Sequence, residues 1–140
     1  MKVTIRKFES SDIPNKVKWI NDFRNNTFLH YDFPLEIEKT RNWFEKNRDR
    51  TDRYDAVIEA DGQPVGLIGL LSIDQKNKKA EYYVTIGEQA FLKKGIARQA
   101  SKLLLDFAFA DLGMNRIYLY TETENLAAIN SYEKLGFRRE

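Results

Sequence analysis

The chain contains no cysteine, and His30 is its sole histidine. Without cysteine there are no disulfides, no thiolate nucleophile and no thiolate-bound zinc. One histidine cannot build a multi-histidine metal site, and nothing in the sequence pairs with it as a triad would require. No metal is expected. Neither sign of charge is in excess, since Lys+Arg 23 against Asp+Glu 21 gives a formal net charge of +2. So small a balance, with acids and bases interspersed, argues against a nucleic-acid partner. Long apolar runs are also missing. The most apolar stretch, Val65 to Ile73, contains Gly66 and Gly69 and is far too short to span a bilayer. The first residues, Met1 to Phe8, alternate apolar and polar and lack the continuous apolar stretch of a signal peptide. The expectation is a cytoplasmic protein without a membrane partner. No Pro/Gly/Ser-rich linker, repeat or low-complexity tract divides the sequence. Its 140 residues, 42% of them hydrophobic, suit a single domain over residues 1–140 with one packed core.

What is present reads as alternating elements. Val3, Ile5 and Phe8 predict a first strand, closed by Ser10-Ser11-Asp12, which are good helix N-caps. Ile13, Val17, Ile20 and Phe23 recur at helical spacing with Trp19 beside them, and Pro14 is tolerated in a first turn. A second helix places Ile37, Thr40, Trp43 and Phe44 on one face. Tyr54 to Ala60 and Pro64 to Ile73 flank Asp61-Gly62, a strong hairpin signal. Ala80 to Ile86 is the next strand. A helix is predicted from about Ile96 to Leu112 with Ile96, Ala100, Leu103, Leu104, Phe107 and Ala108 on one broad face, stopped by Gly113. Arg116 to Thr121 reads as a strand and Leu126 to Leu135 as a helix. Early hairpins followed by strand–helix alternation predict an α/β fold of mixed α+β type: a central mixed, mainly antiparallel sheet with helices on both faces.

The segment Gln89-Ala90-Phe91-Leu92-Lys93-Lys94-Gly95-Ile96-Ala97-Arg98 joins a strand to the long helix. A helix start carries unpaired N–H groups and partial positive charge. Gly95 and Ala97 let a ligand approach the backbone, and Lys93, Lys94 and Arg98 add positive charge, which suits a phosphate. The same residues also describe a solvated basic helix entry. Neither the P-loop pattern nor the dinucleotide fingerprint is present.

This loop resembles the Gln/Arg-x-x-Gly-x-Gly/Ala signature of the GNAT superfamily of acetyl-CoA-dependent N-acetyltransferases. Gly95 and Ala97 match it, and Leu92 departs from it at the Gln/Arg position. Asn125-Leu126-Ala127-Ala128-Ile129-Asn130-Ser131-Tyr132-Glu133-Lys134-Leu135-Gly136-Phe137 is similar to the closing helix of the same family. Both motifs stand in the family's order, with the strand–helix pattern between them. The resemblance is nearest to the ribosomal-protein and amino-sugar acetyltransferase branches. Members usually continue for a strand or two after the Gly-Phe pair. Glu140 comes three residues after Phe137, so the expectation is a GNAT-like fold with its C-terminal strand or strands missing.

The resemblance implies transfer of acetyl from acetyl-CoA directly to a primary amine: an amino sugar, a small amine or a protein N-terminus. It implies that Lys93, Lys94, Gly95, Ile96, Ala97, Arg98 and Asn125 bind the cofactor, and that the backbone of Val84, Thr85 and Ile86 runs beside its pantetheine arm. Glu81 is the candidate base, on the strand where histone-type relatives carry a catalytic glutamate. Alternation puts Glu81, Tyr83 and Thr85 on one face and Tyr82, Val84 and Ile86 on the other. Glu122 and Glu124 are its rivals. Tyr132 matches the family's tyrosine near the cofactor sulfur and is the candidate acid. Asn125 serves equally well as a helix N-cap. Arg24, Asn25, His30 and Tyr31, with Phe28 and Trp43 nearby, form the expected acceptor side, although Phe28 and Trp43 fit the core better. The protein is expected as a monomer or homodimer. The alternative is a regulatory module that binds acyl-CoA without turnover.

Overall fold

A computed structural model of the chain describes residues 1–26, 34–120 and 124–138. Five strands form one sheet in the order β1-β2-β3-β4-β5: Val3–Lys7, Tyr54–Ala60, Gln63–Asp74, Lys79–Ile86 and Arg116–Tyr118. The first four pair antiparallel and β5 joins β4 in parallel, giving a mixed sheet as expected. The Asp61-Gly62 turn has φ of 49° and 83°, the left-handed pair that a two-residue hairpin needs.

Helices cover both faces. On one lie α1 (Ile13–Asn21), the short α2 (Phe23–Asn26) and α3 (Ile37–Asn47). Trp19, Ile13 and Ile20 pack there with Phe44, Phe8, Val57, Leu67 and Tyr83. On the other lie α4 (Ile96–Asp106) and α5 (Leu126–Lys134). Ile96, Ala100 and Leu104 of α4 pack there against Ala56, Ile58, Ile68, Leu70, Ala80 and Tyr82. Each of the large aliphatic side chains so buried stabilises the fold by roughly 1.5–3 kcal/mol. The strand alternation predicted for β4 is present: Tyr82, Val84 and Ile86 join the α4–α5 core, and Tyr83 the α1–α3 core.

Three local expectations need correction. The long helix stops being α-helical at Asp106 and ends in a π-turn, Phe107–Asp111, before Gly113 at φ 69°. The buried stripe of α4 runs through Ile96, Ala100 and Leu104 at a spacing of four, with Ser101 beside it, so Leu103 falls off it and is 41% exposed. Phe23, read as part of the first helix face, is exposed, because the chain breaks at Asp22 into α2. The fifth strand is shorter than predicted and ends at Tyr118.

The entry to α1 is tied to the sheet. Arg6 on β1 bonds both oxygens of Asp12 at 2.8 Å, and the Glu9 N–H donates to the same carboxylate at 2.8 Å. Burial alone would raise the Asp12 carboxyl, but Arg6 and the Glu9 N–H outweigh it and hold it below the usual range. Among the described residues no helix is long and apolar enough to cross a membrane, and no cluster of three His, Cys, Asp or Glu is placed to hold a metal ion.

Candidate active site

The parallel ladder between β4 and β5 is short. It pairs Lys79 with Arg116, Ala80 with Ile117 and Glu81 with Tyr118, and then stops. β4 continues to Ile86, held by β3 on its other edge as far as the Ile86–Gly66 pair. Beyond Glu81, therefore, the β5-side edge of β4 has no strand partner among the described residues. Its N–H and C=O groups are available to an extended ligand that carries amides of its own. Val84, Thr85 and Ile86 lie on this stretch.

Past Ile86 the chain turns through Gly87 and the 3-10 turn Gln89–Phe91 into α4. Gly95 is the N-cap of α4 at φ 75°, a left-handed conformation that costs an ordinary residue roughly 1–2 kcal/mol. It offers no side chain to the helix start, and the first turn holds no acid. The N–H groups of Ile96, Ala97 and Arg98 thus point outward without a side-chain cap, at the positive end of the helix dipole. A Cβ at Gly95 would meet nothing within 4 Å, so the approach is open. Lys93, Lys94 and Arg98 surround it, exposed and without an ion pair among the described residues. An open helix start with three such cations beside an unpaired strand edge fits coenzyme A: pyrophosphate at Gly95 to Arg98, amide-bearing arm along Val84 to Ile86.

Glu81 and Tyr132 flank the end of the ladder from opposite faces. Glu81 lies on the α1–α3 face, half-buried, and burial raises its carboxyl above the ordinary carboxylate range. No ion pair or hydrogen bond engages it among the described residues. Tyr132 stands on α5 against the other face, its ring edge-on to Tyr82 at 6.0 Å and to Phe137 at 6.2 Å. Burial pushes its phenol up, which keeps it protonated at neutral pH. Its hydroxyl has no partner among the described residues, whereas the Tyr82 hydroxyl is bonded to Ser101. Tyr132 and Tyr118 both line an open cleft of about 660 Å³ between β5 and α5.

The remaining candidates divide. The Asn125 side chain accepts from the Ala128 N–H at 3.4 Å and caps α5. Glu124 is exposed, and Glu122 lies outside the described residues. Arg24 bonds Asp22 at 2.7 Å and, with Lys18, Trp19, Glu88 and Gln89, borders a cleft of about 390 Å³ between α1–α2 and the turn after β4. The Asn25 amide bridges α2 to that turn. Phe28, His30 and Tyr31 lie outside the described residues. Trp43 belongs to the core periphery, edge-on to Phe8 at 6.3 Å, with the Lys16 ammonium 3.5 Å from its ring centre. Lys16 itself was not singled out by sequence. It is 8% exposed, and burial lowers its ammonium to about 8 despite the charge of Asp55.

The family model for the acetyltransferase (GNAT) domain matches residues 2–138. Spermidine N(1)-acetyltransferase of Escherichia coli K12 is 31% identical over 140 residues, covering 96% of this chain and 72% of the relative. Spermidine N-acetyltransferase from Vibrio cholerae, solved in complex with CoA and spermine, superposes with a TM-score of 0.91 at 26% identity, over 99% of this chain and 82% of that one. A dodecameric structure of the Vibrio cholerae enzyme gives a TM-score of 0.85 at 26% identity, over 99% of this chain and 80% of the other.

Proposed function

Because the chain belongs to the acetyltransferase (GNAT) domain family and is an acetyl-CoA-dependent N-acetyltransferase acting on a small amine, we propose that its acceptor is a polyamine of the spermidine type. Likeness over nearly the whole chain to spermidine acetyltransferases supports this acceptor over the amino-sugar and ribosomal-protein classes that the motifs bring to mind.

Acetyl-CoA, when bound, supplies an acetyl group activated as a thioester. The work of the chain's residues follows from where they stand. The N–H groups of Ile96 to Arg98, with Lys93, Lys94 and Arg98, hold the pyrophosphate. The β5-side backbone of Val84 to Ile86, without a strand partner among the described residues, would hold the arm in extended form. Glu81 takes a proton from the acceptor ammonium, whose ordinary pKa near ~10.4 leaves almost none of it nucleophilic at pH 7. Half-burial suits Glu81 to this, since a raised carboxyl is a better base. The Tyr132 hydroxyl, protonated at neutral pH, would be the donor of the proton that a leaving thiolate needs. Arg24 is assigned to the acceptor side and Asn125 to the cofactor side, whereas the Asn25 carboxamide is engaged by the turn after β4 and is not free for the acceptor. The carrying observation is the edge of β4 beyond Glu81, which has no strand partner among the described residues, with a helix start lacking a side-chain cap at one end of it and the half-buried Glu81 carboxylate at the other.

A screen of acceptors by thiol release tests the reading: spermidine, spermine, an amino sugar and a peptide with a free N-terminus. The highest kcat/KM is expected for a polyamine. A higher value for the amino sugar or the peptide overturns the polyamine assignment, and CoA binding without transfer to any amine would point to a non-catalytic module. The dodecameric relative motivates a second proposal, that this chain assembles beyond a dimer. Sedimentation showing a monomer or dimer at micromolar concentration would overturn it.

A further inference from the structure

We propose that Asn25 is a positioning residue for the cofactor, acting through the turn that connects β4 to α4. This rests on the reading that coenzyme A lies along the β4 edge and at the start of α4.

Asn25 sits near the end of α2 and is half-buried. Both its donor groups and its oxygen are engaged at one junction. Nδ2 donates to the Trp19 carbonyl at 3.0 Å and to the Gly87 carbonyl at 3.0 Å, and Oδ1 accepts from Gln89 Nε2 at 2.5 Å. An amide has two N–H groups, and both are used on backbone carbonyls from two different elements. No other residue type of this size offers two donors and an acceptor together. Aspartate would keep the acceptor but set its oxygens against two carbonyls.

The junction has little freedom elsewhere. Gly87 lies flat on the Trp19 ring, and a Cβ there would come within 2.1 Å of it. On the sheet side, the Gly87 and Glu88 N–H groups both donate to the Val65 carbonyl, at 2.7 and 3.2 Å. The turn is thus held from β3 by Val65 and from the helical layer by Asn25. Lys18 and Glu88 add an ion pair at 3.0 Å that is too exposed to contribute much.

The consequence is geometric. One ligand must meet the β4 edge with its arm and the α4 start with its pyrophosphate. The distance between those two places is set by the residues from Gly87 to Lys94. A turn released on its helical side keeps both half-sites but loses their registration. Binding then weakens, while a bound cofactor still reacts at its usual rate.

The experiment measures the dissociation constant of CoA by calorimetry for the wild-type chain, Asn25→Ala, Asn25→Asp, Gln89→Ala and the Asn25→Ala/Gln89→Ala double variant. Melting temperatures and kcat at saturating acetyl-CoA are taken alongside. Asn25→Ala should weaken CoA about tenfold, Asn25→Asp at least as much, and Gln89→Ala about threefold. The double variant should be no worse than Asn25→Ala, because both changes break one bridge. The KM for acetyl-CoA should rise in step while kcat stays within about twofold. Unchanged CoA affinity in Asn25→Ala or Gln89→Ala overturns the proposal, as does a loss of kcat at constant affinity. Should Asn25→Ala fail to fold, Gln89→Ala alone decides by the same criterion. A wild-type chain that binds no CoA overturns the cofactor site itself, a result separable from wild-type binding that the variants leave unmoved.

Discussion

Glu81 and Tyr118 form the last rung of the parallel ladder between β4 and β5. One residue further on, β4 has a strand partner on one side only among the described residues, so the carboxylate stands at the mouth of the gap. Its charge reaches Tyr118, whose phenol is pushed up first by burial and then by Glu81.

Glu81→Gln keeps the shape and loses the proton acceptor. Turnover at neutral pH should fall about 10²–10⁴-fold, and CoA affinity should hold within twofold. In the wild type, the rate should rise with pH as the burial-raised Glu81 carboxyl gives up its proton. The variant should lose that rise and recover partly as pH approaches the amine's own pKa. A native pH–rate profile in the variant would move the role to Glu124 or Glu122, or to no base at all.

Tyr132→Phe should lower kcat about tenfold or more while CoA binds as before, since the hydroxyl is needed only as the sulfur leaves. Stability should be unchanged or slightly higher, because the half-buried hydroxyl has no partner among the described residues to lose. Calorimetry and steady-state rates on one preparation separate the two effects. A native rate would make Tyr132 a packing residue.

Gly95→Ala should cost about 1 kcal/mol of stability from the left-handed N-cap and leave CoA binding largely intact, since a methyl meets nothing there. Gly95→Glu adds a negative charge at the same place and should weaken CoA by about 100-fold or more. Equal CoA affinity in the two variants would show that no phosphate approaches this helix start.

Lys16 governs stability rather than chemistry. Its folded pKa of about 8 lies below the ordinary 10.5, so between those values the unfolded chain holds more protons than the folded one. Stability contributed by this group therefore rises with pH across that window, and below about 8 the full cost of the buried charge is felt. That cost is about 3 kcal/mol, offset in part by the attraction to the Trp43 ring. Lys16→Met should raise stability near pH 7 by about 1–2 kcal/mol and flatten the alkaline rise, as read by urea titration at several pH values. A destabilised variant would mean that the ring contacts and the attraction to Asp55 together outweigh desolvation.

The layout of the fold was legible because each element advertises its period. The Ile13, Val17, Ile20 stripe, the Asp61-Gly62 turn and the β4 alternation each depend on neighbours within a few residues. Even Lys16 carried a signal, since it falls between Ile13 and Ile20 on the buried stripe of α1. The loop at Gly95 was legible for the same local reason. What could not be read depends on contacts far apart in the chain. Asn25 lies 62 residues from Gly87 and 64 from Gln89, and no pattern announces that they meet. The π-turn after Asp106 and the early end of β5 are likewise tertiary outcomes, with packing overriding an uninterrupted helical or strand pattern.

The gap beyond Glu81 and Tyr118 also bears on traffic. A sheet that parts halfway along is a wall with a window in it. On the proposed reading, amine and thioester meet through that window from opposite faces, the amine on the Glu81 side and the thioester on the Tyr132 side. Entry in either order is then the expected kinetic pattern, which initial rates with both substrates varied would read.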